Sequence, residues 1–169
     1  MKYHQGFTLI ETLFYIMILS VFLSISSALL IQVLQGMQKT DAVYAVNEGG
    51  SSAMTRMLTT IRNADSVTLP LQGATSSQLT LTMPGTSSNP TIFLVENEVL
   101  KVKEGTAATS TLTAKTIRIK DIVFTNVAAT SSPGSIHIDM SVSSTASDIG
   151  TGNAPENIFT GSATIRRRL

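Results

Sequence analysis

The chain has 169 residues, which is enough for one domain of ordinary size. Its 12 Lys and Arg residues nearly balance its 11 Asp and Glu residues, so the net charge of +1 gives no overall attraction to nucleic acid. The chain contains no cysteine, which excludes disulfides and thiolate metal sites.

The first predicted element is an apolar helix near the N-terminus. From Phe7 to Leu34 the only charged residue is Glu11. At a rise of ~1.5 Å per residue this segment would be roughly 42 Å long, which exceeds a hydrocarbon core of about 30 Å. It is also longer than the apolar region of an ordinary secretory signal, which has about 7–15 residues. We therefore expect a membrane-spanning helix, and Lys2 before it favours a cytoplasmic N-terminus.

Glu11 is the residue that a simple membrane anchor would not need. A carboxylate in the middle of a spanning helix costs about 2.5–3.5 kcal/mol, and less near an end. Two readings follow from the residues. Either Glu11 lies at the headgroup boundary, or it pairs with a positive charge. Since no Lys or Arg occurs between residues 3 and 38, that charge would come from another chain or from a new amino terminus.

The string G-F-T-L-I-E, residues 6–11, decides between these readings by resemblance. Together with a short charged leader and a continuous apolar run, it resembles the processing site of type IV prepilins and pseudopilins. The resemblance implies that prepilin peptidase cleaves after Gly6 and methylates the new terminal residue, Phe7. It also implies that Glu11 pairs with the terminal amine of a neighbouring subunit during assembly.

The resemblance also implies where the protein lies and what it contacts. We expect a single-pass protein of the cytoplasmic membrane, with its globular part outside the cell's cytoplasm and its helix packed into a fibre. Its partners would be other pilin or pseudopilin subunits, prepilin peptidase and the membrane itself. Nucleic acid is not expected among them, and neither is a cofactor.

The helix is predicted to continue beyond the apolar run. Six apolar residues at helical spacing form one stripe, which we expect to pack on a sheet: Val43, Val46, Met54, Met57, Leu58 and Ile61. Gly49 and Gly50 interrupt the pattern at about 1 kcal/mol each relative to Ala, which predicts a bend or break there. The Ser-rich stretch at residues 24–27 and Gly36 could also loosen the helix. It should end between Asn63 and Ser66, before Pro70.

After Pro70 the apolar period changes to two, which is typical of strands. We predict about six strands in antiparallel succession, including a hairpin that turns at Glu96 and Asn97. The predicted strand segments are 79–83, 91–95, 98–103, 116–124, 135–142 and 158–165.

These elements predict an α+β protein, with a long N-terminal transmembrane and amphipathic helix packed on an antiparallel sheet. The expected divisions are a leader at 1–6, a transmembrane helix at 7–34, its amphipathic continuation at 35–66 and a globular sheet domain at 67–169. The layout is also that of pilins. The strings M-T-R-M-L-T-T-I-R-N-A and A-T-I-R-R-R are similar to segments of minor, J-like pseudopilins.

A search for chemistry finds little that would support an enzyme. His4 falls in the leader, so a processed chain keeps only His137, and no nucleophile elbow, phosphate loop or dinucleotide fingerprint is present. His137 and Asp139 share one face of a strand, where a solvated polar face is preferred over a catalytic pair.

Two further features offer ligands. The oxygens of Asp148, Asn153 and Glu156 are weak candidates for calcium, although their spacing does not match an EF-hand and a plain turn explains them better. Arg166, Arg167 and Arg168 form a basic end that could contact phosphate, but a solvated terminus is the simpler interpretation.

The sequence therefore predicts a minor pilin or pseudopilin of a type II secretion or type IV pilus fibre. The alternatives are a major pilin subunit and a membrane-tethered binding module, for example one that captures DNA through its basic end.

Overall fold

A computed structural model describes residues 8–129, 134–146 and 154–166. The order of its elements is one helix followed by strands, α1 (Leu9–Asn63), β1 (Ser66–Leu69), β2 (Thr75–Ser76), β3 (Leu79–Thr82), β4 (Thr91–Glu96), β5 (Val99–Glu104), β6 (Ser110–Thr111), β7 (Ile117–Asn126), β8 (Ser135–Ser144) and β9 (Glu156–Thr164). The predicted α+β class is confirmed.

The chain divides into two compact units, residues 1–40 and residues 41–169. In the described part of the first unit, every side chain from Thr8 to Thr40 is exposed except those of Glu11 and Ser26, which are half-buried. This unit contributes nothing to the hydrophobic core, whose members all come from residue 46 onward.

The second unit contains all the described strands, arranged as two antiparallel sheets. The first sheet has the order β1-β3-β4-β5-β6, and the second has the order β2-β7-β8-β9. A hydrogen bond from the Ile119 amide to the Glu98 carbonyl, 2.8 Å long, joins the two sheets. The prediction of a single sheet is therefore wrong in this respect, because the break in pairing between β5 and β7 carries no signal in the apolar pattern.

All six predicted strands are present, with ends that shift by one to three residues. The three additional strands, β1, β2 and β6, have four, two and two residues. Such short segments cannot show a period of two. The hairpin between β4 and β5 is confirmed, but its turn lies one residue later than predicted. Asn97 and Glu98 occupy its centre, both with positive φ (53° and 62°), as a type I′ turn requires.

The second half of α1 packs on the sheets through one face. Met57 and Ile61 are fully buried, Val46 and Met54 are buried, and Leu58 is half-buried. Val43, by contrast, is 40% exposed, and small residues at positions 42, 50 and 53 complete the buried face. The helix ends at Asn63, as predicted.

The predicted bend at Gly49 and Gly50 is wrong, because α1 is continuous through both. A Cβ at Gly49 would come within 2.4 Å of Ile117 Cδ1, and a Cβ at Gly50 within 2.2 Å of Phe159 Cε2. These glycines therefore let the helix backbone approach β7 and β9 closely. Tertiary packing offsets their low helix propensity. The helix is likewise unbroken at Gly36 and at residues 24–27.

Candidate functional site

The start of α1 is a capped helix terminus. The amide of Glu11 donates to the Thr8 side-chain oxygen at 3.3 Å and to the Thr8 carbonyl at 3.1 Å. Thr8 is therefore the N-cap and Glu11 the third helical residue, which is the spacing of a capping box. The cap fixes where the helix begins, and with it the position of the Glu11 carboxylate relative to the preceding residue, Phe7.

The Glu11 carboxylate has an internal partner one turn further along the helix. The Tyr15 hydroxyl donates to Glu11 Oε1 at 3.3 Å. This contact leaves the second oxygen of the carboxylate without a described hydrogen bond. A negative group in the first turn also interacts favourably with the positive end of the helix dipole.

The sequence argument identified Glu11 but missed Thr8 and Tyr15. Signals for both are present in the string T-L-I-E-T-L-F-Y, residues 8–15. A Thr followed three residues later by Glu is the capping-box pattern, and a Tyr four residues after a Glu lies on the same helix face. Neither residue carries a charge, which explains why a search for charges inside the apolar run passes over them.

The other polar side chains of this region bond to the helix backbone. The hydroxyls of Thr12, Ser20 and Ser24 each donate to a carbonyl three or four residues earlier, at 2.8 Å in all three cases. Such bonds satisfy a hydroxyl without water, so these residues are compatible with a lipid environment. Glu11 remains the only ionisable carboxylate between residues 8 and 40.

The surface around Glu11 is apolar and uncovered within the chain. None of the residues in the most apolar 18-residue stretch of α1 is buried, and Leu9 is 83% exposed. By length and composition α1 can cross a membrane. The large exposed side chains run from Leu9 to Met37 and bury no area in the isolated chain.

The second group of predicted site residues lies on the globular unit, and only Glu156 is within the described residues. Its carboxylate pairs with Lys120 Nζ and accepts a 2.6 Å hydrogen bond from the Ser141 hydroxyl. The hydrogen bond from Lys120, followed by that from Ser141, lowers the pKa of Glu156 below its ordinary value. This carboxylate is thus already occupied by a cation of its own chain. Asp148 and Asn153 lie outside the described residues, as do the cleavage-site residues Gly6 and Phe7.

His137 and Asp139 lie side by side on the outward face of β8, as predicted for a polar face. Their nearest atoms, Nε2 and Oδ2, are 3.3 Å apart, and both side chains are nearly half exposed. Of the basic end, Arg166 is described. Its amide donates to the Arg62 carbonyl at the end of α1, at 3.3 Å. Arg167 and Arg168 lie outside the described residues.

The comparison with protein families bears on the first of these sites. The prokaryotic N-terminal methylation motif matches residues 1–27. The chain carries the type IV pilin and pseudopilin signature. The match includes Gly6, Phe7 and Glu11 as well as the first two turns of α1. No curated protein and no solved structure matches the chain at a significant level.

The pilin signature supports a type IV pilin-like or pseudopilin protein that prepilin peptidase processes. Proteins of this family are structural subunits that assemble with one another. The exposed apolar half of α1 fits a membrane-anchored, fibre-assembled protein, because a fibre or a membrane supplies the cover that the chain itself lacks.

Proposed function

We propose that this protein is a minor pilin or pseudopilin subunit of a type II secretion or type IV pilus fibre. Prepilin peptidase cuts after Gly6 and methylates Phe7, and the mature subunit enters the fibre through α1. The single observation that carries the proposal is Glu11, the lone carboxylate in the first turn of a helix half whose apolar surface is otherwise uncovered.

The proposed role of Glu11 is to fix the register between neighbouring subunits. After cleavage the chain would begin at Phe7, next to the Thr8 cap. The amine of one subunit and the Glu11 carboxylate of the next then form an ion pair in a low-dielectric environment. Such a pair contributes little net stability but makes any register that leaves one charge unpaired costly, on the order of 3–5 kcal/mol. Glu11 therefore selects the register in which apolar helices pack.

The divisions that follow from this role are a leader at 1–6, a spanning helix at 7–34 and an amphipathic continuation at 35–66. The sheet domain at 67–169 lies outside the cytoplasm and supplies the contacts specific to this subunit. The similarity of its late segments to J-like pseudopilins supports the minor role over that of a major pilin.

Mass spectrometry of the protein purified from its own membrane tests the proposal. The expected N-terminal peptide begins at Phe7 and carries one additional methyl group. A Gly6→Leu variant should remain as uncut precursor, whereas His4→Gln, which changes the leader away from the junction, should be processed normally. A mature protein that retains Met1, or one that is cut near the Ser-rich stretch at residues 24–27, would contradict the proposal.

A further inference from the structure

The pairing of β8 with β9 brings three polar side chains together on the outer face of the second sheet. His137 and Asp139 are two residues apart on β8, so they project from the same face. Ser162 of β9 is the residue directly opposite His137. All three lie away from the helix, on the side of the sheet where the side chains are at least partly accessible to solvent.

The imidazole of His137 has a different contact at each nitrogen. Nδ1 lies 2.8 Å from the Ser162 hydroxyl oxygen, which is a short hydrogen bond. Nε2 lies 3.3 Å from Asp139 Oδ2. Among the described contacts no hydrogen bond with good geometry joins these last two atoms. Two donor atoms thus stand close together at the surface without being directed at each other.

Their separation equals one edge of a metal coordination tetrahedron. Zinc binds histidine nitrogen at about 2.0–2.1 Å and carboxylate oxygen at about 2.0–2.2 Å, with tetrahedral angles. Two ligands at such bond lengths lie about 3.4 Å apart, by the geometry of the tetrahedron. The observed 3.3 Å therefore allows Nε2 and Oδ2 to bind one ion with almost no movement of the side chains.

Ser162 supplies the second feature that metal-binding histidines usually have. When the Ser162 oxygen accepts the Nδ1 proton, the neutral ring carries its lone pair at Nε2, the atom that faces Asp139. A hydrogen bond to the outer ring nitrogen fixes the ring orientation and raises its basicity as a ligand. Asp121, on the neighbouring strand beside Ser141, adds a second carboxylate to the same face.

The same three residue types occur in serine hydrolases, but the arrangement here does not fit that chemistry. A hydrolase requires donors for an oxyanion next to the serine and a cleft that holds the substrate. The three side chains here stand on the open face of a sheet. The polar cavity next to β7, whose lining includes Glu98, Arg118 and Lys120, contains none of them.

We propose that His137 Nε2 and Asp139 Oδ2 form a chelating site for a divalent transition metal of the zinc type, with Ser162 as its positioning residue. Water fills the remaining coordination positions in the isolated chain. The nitrogen ligand favours zinc over calcium and magnesium, which prefer oxygen ligands only. This inference concerns the globular unit and is independent of fibre assembly through Glu11.

Isothermal titration of the full chain in detergent with zinc chloride tests the site. We expect saturable binding of one equivalent, and no saturable binding of calcium chloride under the same conditions. His137→Gln should abolish zinc binding, and Asp139→Asn should weaken it. Ser162→Ala should weaken it by at least about tenfold, as for the loss of an outer hydrogen bond to a metal ligand. His4→Gln is the matched control, and it should bind like the wild type.

Histidine ring nitrogen resonances give a second measurement that a structural role of these residues would not affect. Zinc should shift the Nε2 resonance of His137 and leave Nδ1 protonated. Equal zinc binding by wild type and by a folded His137→Gln variant would overturn the proposal, and so would metal-induced loss of the Nδ1 proton. An absence of saturable zinc binding by the wild type would overturn it as well.

Discussion

The two halves of α1 have the same backbone conformation and opposite surroundings. Up to residue 40 all side chains except Glu11 and Ser26 are exposed, including large apolar ones. From Ala42 to Ile61 one face is buried, and it alternates small residues with methionine and isoleucine. The globular unit thus completes its core within the chain, whereas the apolar half depends on groups that another molecule must supply. Changes to the two regions should therefore have different consequences.

The largest effect is expected from removing the carboxylate of the apolar half. Glu11→Ala should leave membrane insertion and cleavage intact, since the helix becomes more apolar, but it leaves the neighbour's ammonium unpaired. A buried charge without its partner costs on the order of 3–5 kcal/mol, which corresponds to a loss of two orders of magnitude or more in incorporation. Glu11→Asp should be intermediate, because its shorter side chain strains the contact.

The measurement is the amount of subunit in sheared fibres relative to the amount processed in the membrane. Tyr15→Phe provides a matched control, because it removes the hydroxyl that contacts Glu11 and keeps the charge. A Glu11→Ala protein that is processed and incorporated like the wild type would show that the carboxylate is only an interfacial residue.

The next effect concerns the close packing of the globular half. Gly50→Leu places a side chain where a Cβ already meets the Phe159 ring at 2.2 Å, so the helix and β9 must separate. Overpacking of this kind costs about 1–3 kcal/mol. The denaturant midpoint of the β-sheet circular dichroism signal in the detergent-solubilised chain should fall accordingly. Gly36→Ala is the control in the apolar half, since a Cβ there has nothing within 4 Å. A Gly50→Leu midpoint equal to that of the control would refute the packing account.

A smaller effect, of opposite sign, is expected at the β4–β5 turn. Glu98 has φ of 62°, a conformation that costs a non-glycine residue about 1–2 kcal/mol. Glu98→Gly creates the Asn-Gly pair that type I′ turns prefer, and it should stabilise the sheets by about 1 kcal/mol. Glu98→Gln separates this gain from loss of the exposed ion pair with Arg118, at 3.6 Å, because it keeps the backbone strain. A decrease in the unfolding midpoint of Glu98→Gly below that of Glu98→Gln would contradict the turn assignment.

The smallest effect is a pH dependence at the base of β9. Because the Lys120 contact lowers the pKa of Glu156, the folded state favours the ionised carboxylate. Its contribution to stability is present above the unfolded-state pKa and disappears as the pH falls through the lower, folded-state pKa. Thermal unfolding of Glu156→Gln should therefore show a slightly flatter dependence on pH in the acid range, with little change at neutral pH. Identical acid profiles of variant and wild type would show that the pair does not form in solution.

The sequence predicted the elements whose signals extend over many residues. The apolar run, the stripe of Met54, Met57 and Ile61 and the long alternating strands such as β8 were all found, because their periods repeat several times. The three short strands and the division into two sheets were not found, since pairing between distant segments leaves no local pattern. Gly50 was misread as a break for a related reason. Its local cost is visible in the sequence, whereas its contact with Phe159 is not.

The candidate site shows the same limit. The charge of Glu11 is conspicuous in an apolar run, and the matched motif carries it. The Thr8 cap was also readable from spacing alone. In contrast, the position of Ser162 beside His137 depends on the register of β8 with β9, which the sequence does not specify to the residue.

The most direct test of the assembly role is a zero-length cross-link at Glu11. A membrane-permeable carbodiimide activates a carboxylate in an apolar environment and joins it to an amine in contact with it, with loss of water. In isolated fibres that contain this subunit, the account predicts a mass-spectrometric peptide pair in which Glu11 is bonded through an amide to the N-terminal amine of a neighbouring subunit. Fibres in which Glu11 reacts with the carbodiimide but is never linked to a neighbour's terminus would contradict the account.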